Sequence, residues 1–322
     1  MGENNLIDKI KKDWQRLDNF KKDNYAEYPS TLMLELTNAC NLKCVMCRNS
    51  SMKRKRGFMS KEILVKALSE AKKSSIKKVA LYTTGESLLH PDFIEIAKIC
   101  NEFGFTTYLT TNGLLLNEKM CRELLSTNLE SIKISIDGTN KKEYEQIRIR
   151  GKFETLINNL KILYEIRKRE HSSIKIYAGA VITKLNEENI NLFRKVYGKY
   201  VDGIYLSPLV NQSGQLSEIY ERLKSERIII NTHWKPCKML WDRIVVSWEG
   251  KLVACCVDYE NDLEYGDLNK NTIENLWDSE KMMDWRKKHL LGDVKDMPLC
   301  RTCNAPFIQQ IEILEKTNMV EY

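Results

Sequence analysis

Residues Thr31 to Cys47 read TLMLELTNACNLKCVMC. The apolar run Leu32–Leu36 has the length of a strand, and it leads directly into three cysteines spaced Cys40-x3-Cys44-x2-Cys47. In folds built on parallel strands, ligands bind just beyond the carboxyl ends of the strands. Thiols at that position therefore point to a working site. Three thiolates this close in sequence can hold three corners of a cuboidal iron–sulfur cluster and leave one iron without a protein ligand. An open coordination position belongs to catalytic metal centres, a closed one to structural sites. Zinc is the competing reading. It needs a fourth ligand, which only the fold can bring from His90 or His171.

Beyond this stretch the chain keeps a strand–helix rhythm. Strands are expected at 79–83, 106–111, 132–136, 174–182 and 203–207. Helices are expected at 60–73, with Ser60 as N-cap, and at 91–103, 117–125, 142–147, 154–168 and 187–198. Such alternation implies a parallel sheet covered by helices. Six strands are too few for a closed eight-stranded barrel, so the class is α/β and the expected architecture is an open, partial (β/α)6 barrel over residues 31–208. Residues 1–30 read as a polar helical extension with Ile10, Trp14 and Leu17 at helical spacing. A turn-rich connection covers 209–234. Residues 235–310 read as a small separate domain, with a hairpin of 244–246 and 252–254 around Glu249-Gly250 and helices near 272–277 and 279–290. A tail, 311–322, closes the chain.

The small domain carries Cys237, Cys255, Cys256, Cys300 and Cys303. Four thiolates suffice to close a [4Fe–4S] cluster, and a tetrathiolate zinc site uses the same donors. Neighbouring residues on a strand face opposite sides, so if Cys255 is a ligand, Cys256 points away. Cys100 and Cys121 stand alone in helical patterns and read as buried small hydrophobes.

The chain has 322 residues, of which 43% are hydrophobic and 30% charged, so a sizeable core can form and global disorder is excluded. With 14 Gly and 6 Pro it is neither collagen-like nor low in complexity. No apolar run is long enough to cross a membrane, and the first residues lack the apolar core of a secretion signal. Ten cysteines without such a signal argue for metal or catalysis in a reducing, cytoplasmic setting. The net charge of +7 is mostly interspersed. The one sharp basic run, Lys53–Arg56, reads as a solvated loop or as an attractor for a phosphate- or carboxylate-bearing substrate. No motif of nucleic-acid recognition accompanies it.

The Cx3Cx2C motif after a first strand resembles the radical S-adenosylmethionine superfamily. Thr84-Gly85-Glu86 resembles its Gly-Gly-Glu segment, with Thr84 in place of the first glycine. Leu88-Leu89-His90-Pro91 fits the stretch that follows. Thr110-Thr111-Asn112-Gly113 is similar to its Thr-Asn-Gly segment, Ser135-Ile136-Asp137-Gly138 to Ser-x-Asp-Gly, and Arg148 with Gly151 and Phe153 to Arg-x-x-Gly-x-Phe. The resemblance implies that Cys40, Cys44 and Cys47 hold a [4Fe–4S] cluster. It also implies that Met46, Thr84, Gly85, Glu86, Asn112, Ser135, Asp137 and Arg148 bind S-adenosylmethionine. Met46 stands where an aromatic residue is usual and offers adenine a soft apolar surface. The implied chemistry is reductive cleavage to a 5′-deoxyadenosyl radical that abstracts hydrogen from substrate, with flavodoxin or ferredoxin as electron donor.

Cys237-x12-Gly250-x4-Cys255 and Cys300-x2-Cys303 resemble the SPASM and twitch tails attached to many of these enzymes, in particular the tail of the aminocyclitol dehydrogenase of butirosin biosynthesis. No cysteine follows Cys303, which implies a single auxiliary [4Fe–4S] cluster on Cys237, Cys255, Cys300 and Cys303. A fully ligated cluster cannot bind substrate but can accept an electron from a substrate radical. The expected reaction is therefore a two-electron oxidation of a small polar molecule such as a sugar, cyclitol or nucleotide-linked sugar. Alternatives are maturation of a ribosomal peptide and redox-neutral epimerisation or lysis of a sugar. About 30 residues before the first strand leave no room for a leader-binding module in front, which favours the small molecule. Tyr205, Ser207, Gln212 and Trp241 are substrate-side candidates by position, with Trp241 also placed to cover the auxiliary cluster. Cys256 is a candidate hydrogen-atom donor.

Overall fold

A computed structural model describes residues 29–74, 76–228 and 234–307. The expected extension, the final tail and the apolar residues 229–230 lie outside the described residues. Six strands run parallel in chain order: β1 (Thr31–Leu34), β2 (Lys78–Ala80), β3 (Thr106–Thr111), β4 (Ser131–Ser135), β5 (Lys175–Ile182) and β6 (Gly203–Pro208). Their alternation explains the layers. Leu32, Leu34, Ile132 and Ile134 point outward and pack with Leu64, Ala67 and Leu68 of the first helix, Lys61–Lys73, in the main core. Met33 and Ala80 point the other way, into the concave side, where Tyr82 and Tyr108 join them. Ser60 caps that helix by accepting from the backbone of Ile63. Asn117, Thr272 and Ser279 cap later helices in the same way.

The tail is joined to the barrel through its strands. Its hairpin, β7 (Arg243–Val246) and β8 (Lys251–Val253), together with β9 (Glu264–Asp267), extends the barrel's own sheet. β7 lies parallel to β1 in the register Thr31↔Arg243 through Leu34↔Val246. The nine-stranded order is β9-β8-β7-β1-β2-β3-β4-β5-β6, open between β9 and β6.

The helix expected over 187–198 is shorter. A 3-10 turn, Ile190–Leu192, precedes a helix of only Phe193–Tyr197. Polar side chains outcompete helical bonds before it. Asn186 accepts from the backbone of Thr183 and donates to the carbonyls of Asp137 and Val181, while Asn189 donates to Glu143. Among the described residues no helix is long and apolar enough to cross a membrane.

Candidate active site

The loop after β1 is braced from several sides. Asn38 donates to the carbonyl of Lys55 (2.8 Å) and accepts from the amide of Gly57 (3.0 Å). Asn49, buried, donates to the carbonyls of Asn38 (2.9 Å) and Thr84 (2.7 Å). Cys44 lies in a two-residue pairing, Lys43–Cys44 against Arg148–Ile149. The basic run turns out to be part of this brace. The Arg54 guanidinium pairs with Glu35 (2.6 Å) and Glu249 (3.1 Å), and its Nε donates to the carbonyl of Tyr259 (3.1 Å). Arg56 donates to the carbonyls of Asn38 and Asn49. Two of the four cations thus stabilise the loop itself, which removes the run as the first place to seek a bound phosphate.

Glu86 is almost fully buried. It accepts from Thr111 Oγ1 (2.8 Å) and from the amides of Asn112 (2.7 Å) and Leu88 (3.2 Å). Burial raises its pKa despite these donors, so a cation arriving beside it gains by restoring the carboxylate. Gly85 leaves no room for a side chain: a Cβ there falls 2.1 Å from the carbonyl oxygen of Thr37 and 2.7 Å from that of Ala39. The Thr84 hydroxyl turns back to Glu35, so the residue that departs from the Gly-Gly-Glu pattern is anchored to the same carboxylate as Arg54. Asn112 donates to Asn41 (2.7 Å), and Met46 packs with Ile147, Leu209, Tyr220 and Leu223.

Asp137 has a positive φ of 56°. It accepts from the amide of Val181 (2.6 Å) and from Arg148 Nε (2.6 Å) and Nη2 (2.5 Å). Arg148 Nη1 lies 3.7 Å from Cys44 Sγ. Burial works against the charge of Arg148, but Asp137, Cys44 and Tyr144 outweigh it and raise its pKa. Ser135, Asp137 and Arg148 line a cavity of about 310 Å³ together with Thr110, Lys133, Tyr205 and Ser207. The cavity places Tyr205 beside the residues read as binding S-adenosylmethionine.

In the tail, Cys237, Cys255, Cys300 and Cys303 stand close enough for each thiolate to oppose its neighbours' ionisation. Burial, then Cys255 and Cys303, push Cys237 up to about 12. Burial, then Cys255, Cys237 and Cys303, raise Cys300. Ser213 Oγ reaches Cys255 Sγ at 3.5 Å. Asn211 donates to the carbonyl of Thr302 (2.6 Å), and Asn304 accepts from the amide of Asn211 (2.9 Å), so the connection is stitched to the Cys300–Cys303 turn. Cys255 and Cys256 lie in the turn beyond the end of β8, so the expected strand alternation does not place them; Cys255 packs with the main core and Cys256 with Met33, Val245 and Tyr108 on the concave side. Their thiols nevertheless interact, which raises Cys255 and lowers Cys256.

The donor chemistry of both sets fits iron–sulfur clusters, with three thiols on one loop and four in the tail, near enough within each set to act on one another's ionisation. Among the described residues no three Cys, His, Asp or Glu side chains close around one metal ion. Burial holds Cys40 up at about 12 and Cys44 at about 11, so these thiols ionise only when a metal's charge stabilises the thiolate.

Trp241 is 1% exposed and packs in the main core. Gln212 accepts from the Tyr259 hydroxyl (2.9 Å), which also lies 3.4 Å from Cys47 Sγ. Sequence reasoning missed Tyr259, Ser213, Asn211 and Lys133. For Asn211 and Ser213 the turn-rich composition was a usable signal; Tyr259 and Lys133 carried none.

Residues 34–196 match the Radical SAM superfamily, and residues 237–304 match an iron-sulfur cluster-binding domain, SPASM. The chain belongs to the radical SAM superfamily. Membership implies a three-cysteine [4Fe–4S] cluster with S-adenosylmethionine, and the tail implies auxiliary iron–sulfur binding. A tungsten-containing aldehyde ferredoxin oxidoreductase cofactor-modifying protein from Pyrococcus furiosus is 23% identical over 88% of this chain and 90% of its own. The fold is similar to that of BtrN in complex with AdoMet and 2-DOIA (TM-score 0.61, 18% identity, 89% of this chain and 97% of that one). It is also similar to Streptococcus suis SuiB bound to its precursor peptide SuiA (TM-score 0.65, 16% identity, 90% and 73%).

Proposed function

We propose that the protein oxidises a small polar molecule by two electrons, with the tail cluster as electron acceptor and Cys40, Cys44, Cys47, Cys237, Cys255, Cys300 and Cys303 as ligands. The observation that carries this reading is the chain of side-chain contacts that links the two thiol sets. Tyr259 lies against Cys47 of the first set, and Ser213, next to its partner Gln212, lies against Cys255 of the second. When bound, the first cluster and S-adenosylmethionine supply the radical that removes hydrogen from substrate. The chain's own residues orient and enclose. Glu86, held by Thr111 and Asn112, faces the cationic amine of the methionine moiety. Ser135, with the Asp137–Arg148 pair, borders the cavity where ribose and substrate meet. Tyr205 and Ser207 line its far wall. A cavity of about 310 Å³ suits a sugar- or cyclitol-sized molecule. A flavodoxin or ferredoxin is the proposed reductant.

Peptide maturation is the second reading, because a precursor peptide occupies the similarly folded SuiB. The two separate by mass spectrometry. The reduced enzyme is incubated with S-adenosylmethionine and a small-metabolite extract in deuterated water. Oxidation yields 5′-deoxyadenosine and a small product lighter by two hydrogen atoms. A product of unchanged composition carrying one solvent deuterium would instead indicate epimerisation, and modification only of added peptides would indicate maturation.

A further inference from the structure

We propose that Lys133 and the barrel wall around it form a subsite for an oxyanion, a carboxylate or phosphate, carried by the small-molecule substrate. The inference rests on the small-molecule reading above and narrows it. Lys133 lies in β4 between Ile132 and Ile134, whose side chains enter the outer core, so its own side chain runs into the concave side. Its stem runs beside Gly179 on β5, where a Cβ would stand in ordinary contact with it, 3.4 Å from Lys133 Cδ and 3.5 Å from Cγ. The ammonium sits 5.9 Å from the ring centre of Tyr82 and 5.7 Å from that of Tyr205, within cation–π range of both.

Lys133, Asp137 and Arg148 are the charged residues lining the cavity. Asp137 is engaged by Arg148 and by the amide of Val181, and Arg243 of β7 acts on Lys133 from behind with the same sign. The summed charge at the cavity is positive. Burial first, then Arg243, bring the Lys133 pKa down to about 8, with Asp137 opposing them. An oxyanion in the cavity relieves both the desolvation and the repulsion. An ammonium flanked by two tyrosine rings, of which Tyr205 lines the cavity, recognises a compact anion by its charge, and the neutral remainder of the substrate is left toward Ser135 and Ser207.

The test needs no turnover. The anaerobically reconstituted full chain is loaded with S-adenosylhomocysteine, which has no sulfonium bond to cleave, and reduced, so that the first cluster is paramagnetic. Inorganic phosphate is followed by 31P and labelled acetate by 13C line broadening. Saturable broadening is expected for at least one probe, and which one distinguishes phosphate from carboxylate recognition. Lys133→Arg retains it and Lys133→Met weakens it roughly tenfold or more. Because the amine loses its proton near pH 8 while acetate stays charged, acetate affinity in the wild type falls as pH rises through that value, and it stays level in Lys133→Arg. This arm decides the matter if Lys133→Met fails to fold. Unsaturable broadening of both probes, equal binding by Lys133→Met, or a flat acetate profile in the wild type overturns the proposal. None of these results touches the oxidation reading, which falls instead if no product lacking two hydrogens is formed.

Discussion

Gly85 is the residue at which the site's geometry is least forgiving. A side chain there meets backbone, not a flexible neighbour: Thr37 O at 2.1 Å and Ala39 O at 2.7 Å. The clash can be relieved only by moving the loop that starts the cysteine motif or the segment that carries Glu86. Gly85→Ala is therefore expected to weaken S-adenosylmethionine binding by roughly tenfold or more and to lower the thermal midpoint; equilibrium binding at unchanged iron content checks it. Lys133 gives a stability prediction of definite sign. Its folded pKa, about 8, is below the ordinary 10.5, so between those values the unfolded chain binds the proton and the folded chain does not. Stability then rises with pH across that window. Arg243 and Asp137 are the charges facing Lys133, and Tyr82, its pKa raised to about 12 by burial, stays neutral there. Wild type should gain on Lys133→Met by on the order of 2 kcal/mol between pH 8 and 10, measured by denaturant titration. A constant difference would contradict the assigned environment.

At the scale of elements, the short helix Met239–Asp242 links Cys237 to β7 and buries Trp241 in the main core. Truncating a fully buried tryptophan costs about 3–5 kcal/mol. Trp241→Ala is expected to destabilise by that amount, while Trp241→Phe loses much less and leaves the tail cluster's electron paramagnetic resonance spectrum unchanged. An altered spectrum in Trp241→Phe would place Trp241 against the cluster. The repeat units were legible because strand and helix periods differ and caps such as Ser60 announce themselves. Less legible was the helix after β5, where Asn186 and Asn189 use their side chains for distant partners that no local pattern reveals. The basic run misled for a similar reason. Its partners Glu35 and Glu249 lie far off in sequence and reach Arg54 only because β7 pairs with β1.

Across the whole molecule, the tail is built as an extension of the barrel. β7 adds its edge to β1, the strand that delivers the first thiol set, and the connection at Asn211–Ser213 is stitched to the Cys300–Cys303 turn. The two cysteine groups stood out in the sequence by their spacing. What joins them was not readable: Tyr259, against Cys47, comes from a loop whose sequence has no period and no cap. The central claim is that the chain holds two clusters, the second handling electrons. It is tested most directly by iron and sulfide content after anaerobic reconstitution, comparing wild type with the Cys40/Cys44/Cys47→Ala variant. The account predicts about eight irons falling to about four. About four falling to none, with zinc bound in the tail, would contradict it and leave the tail a structural element.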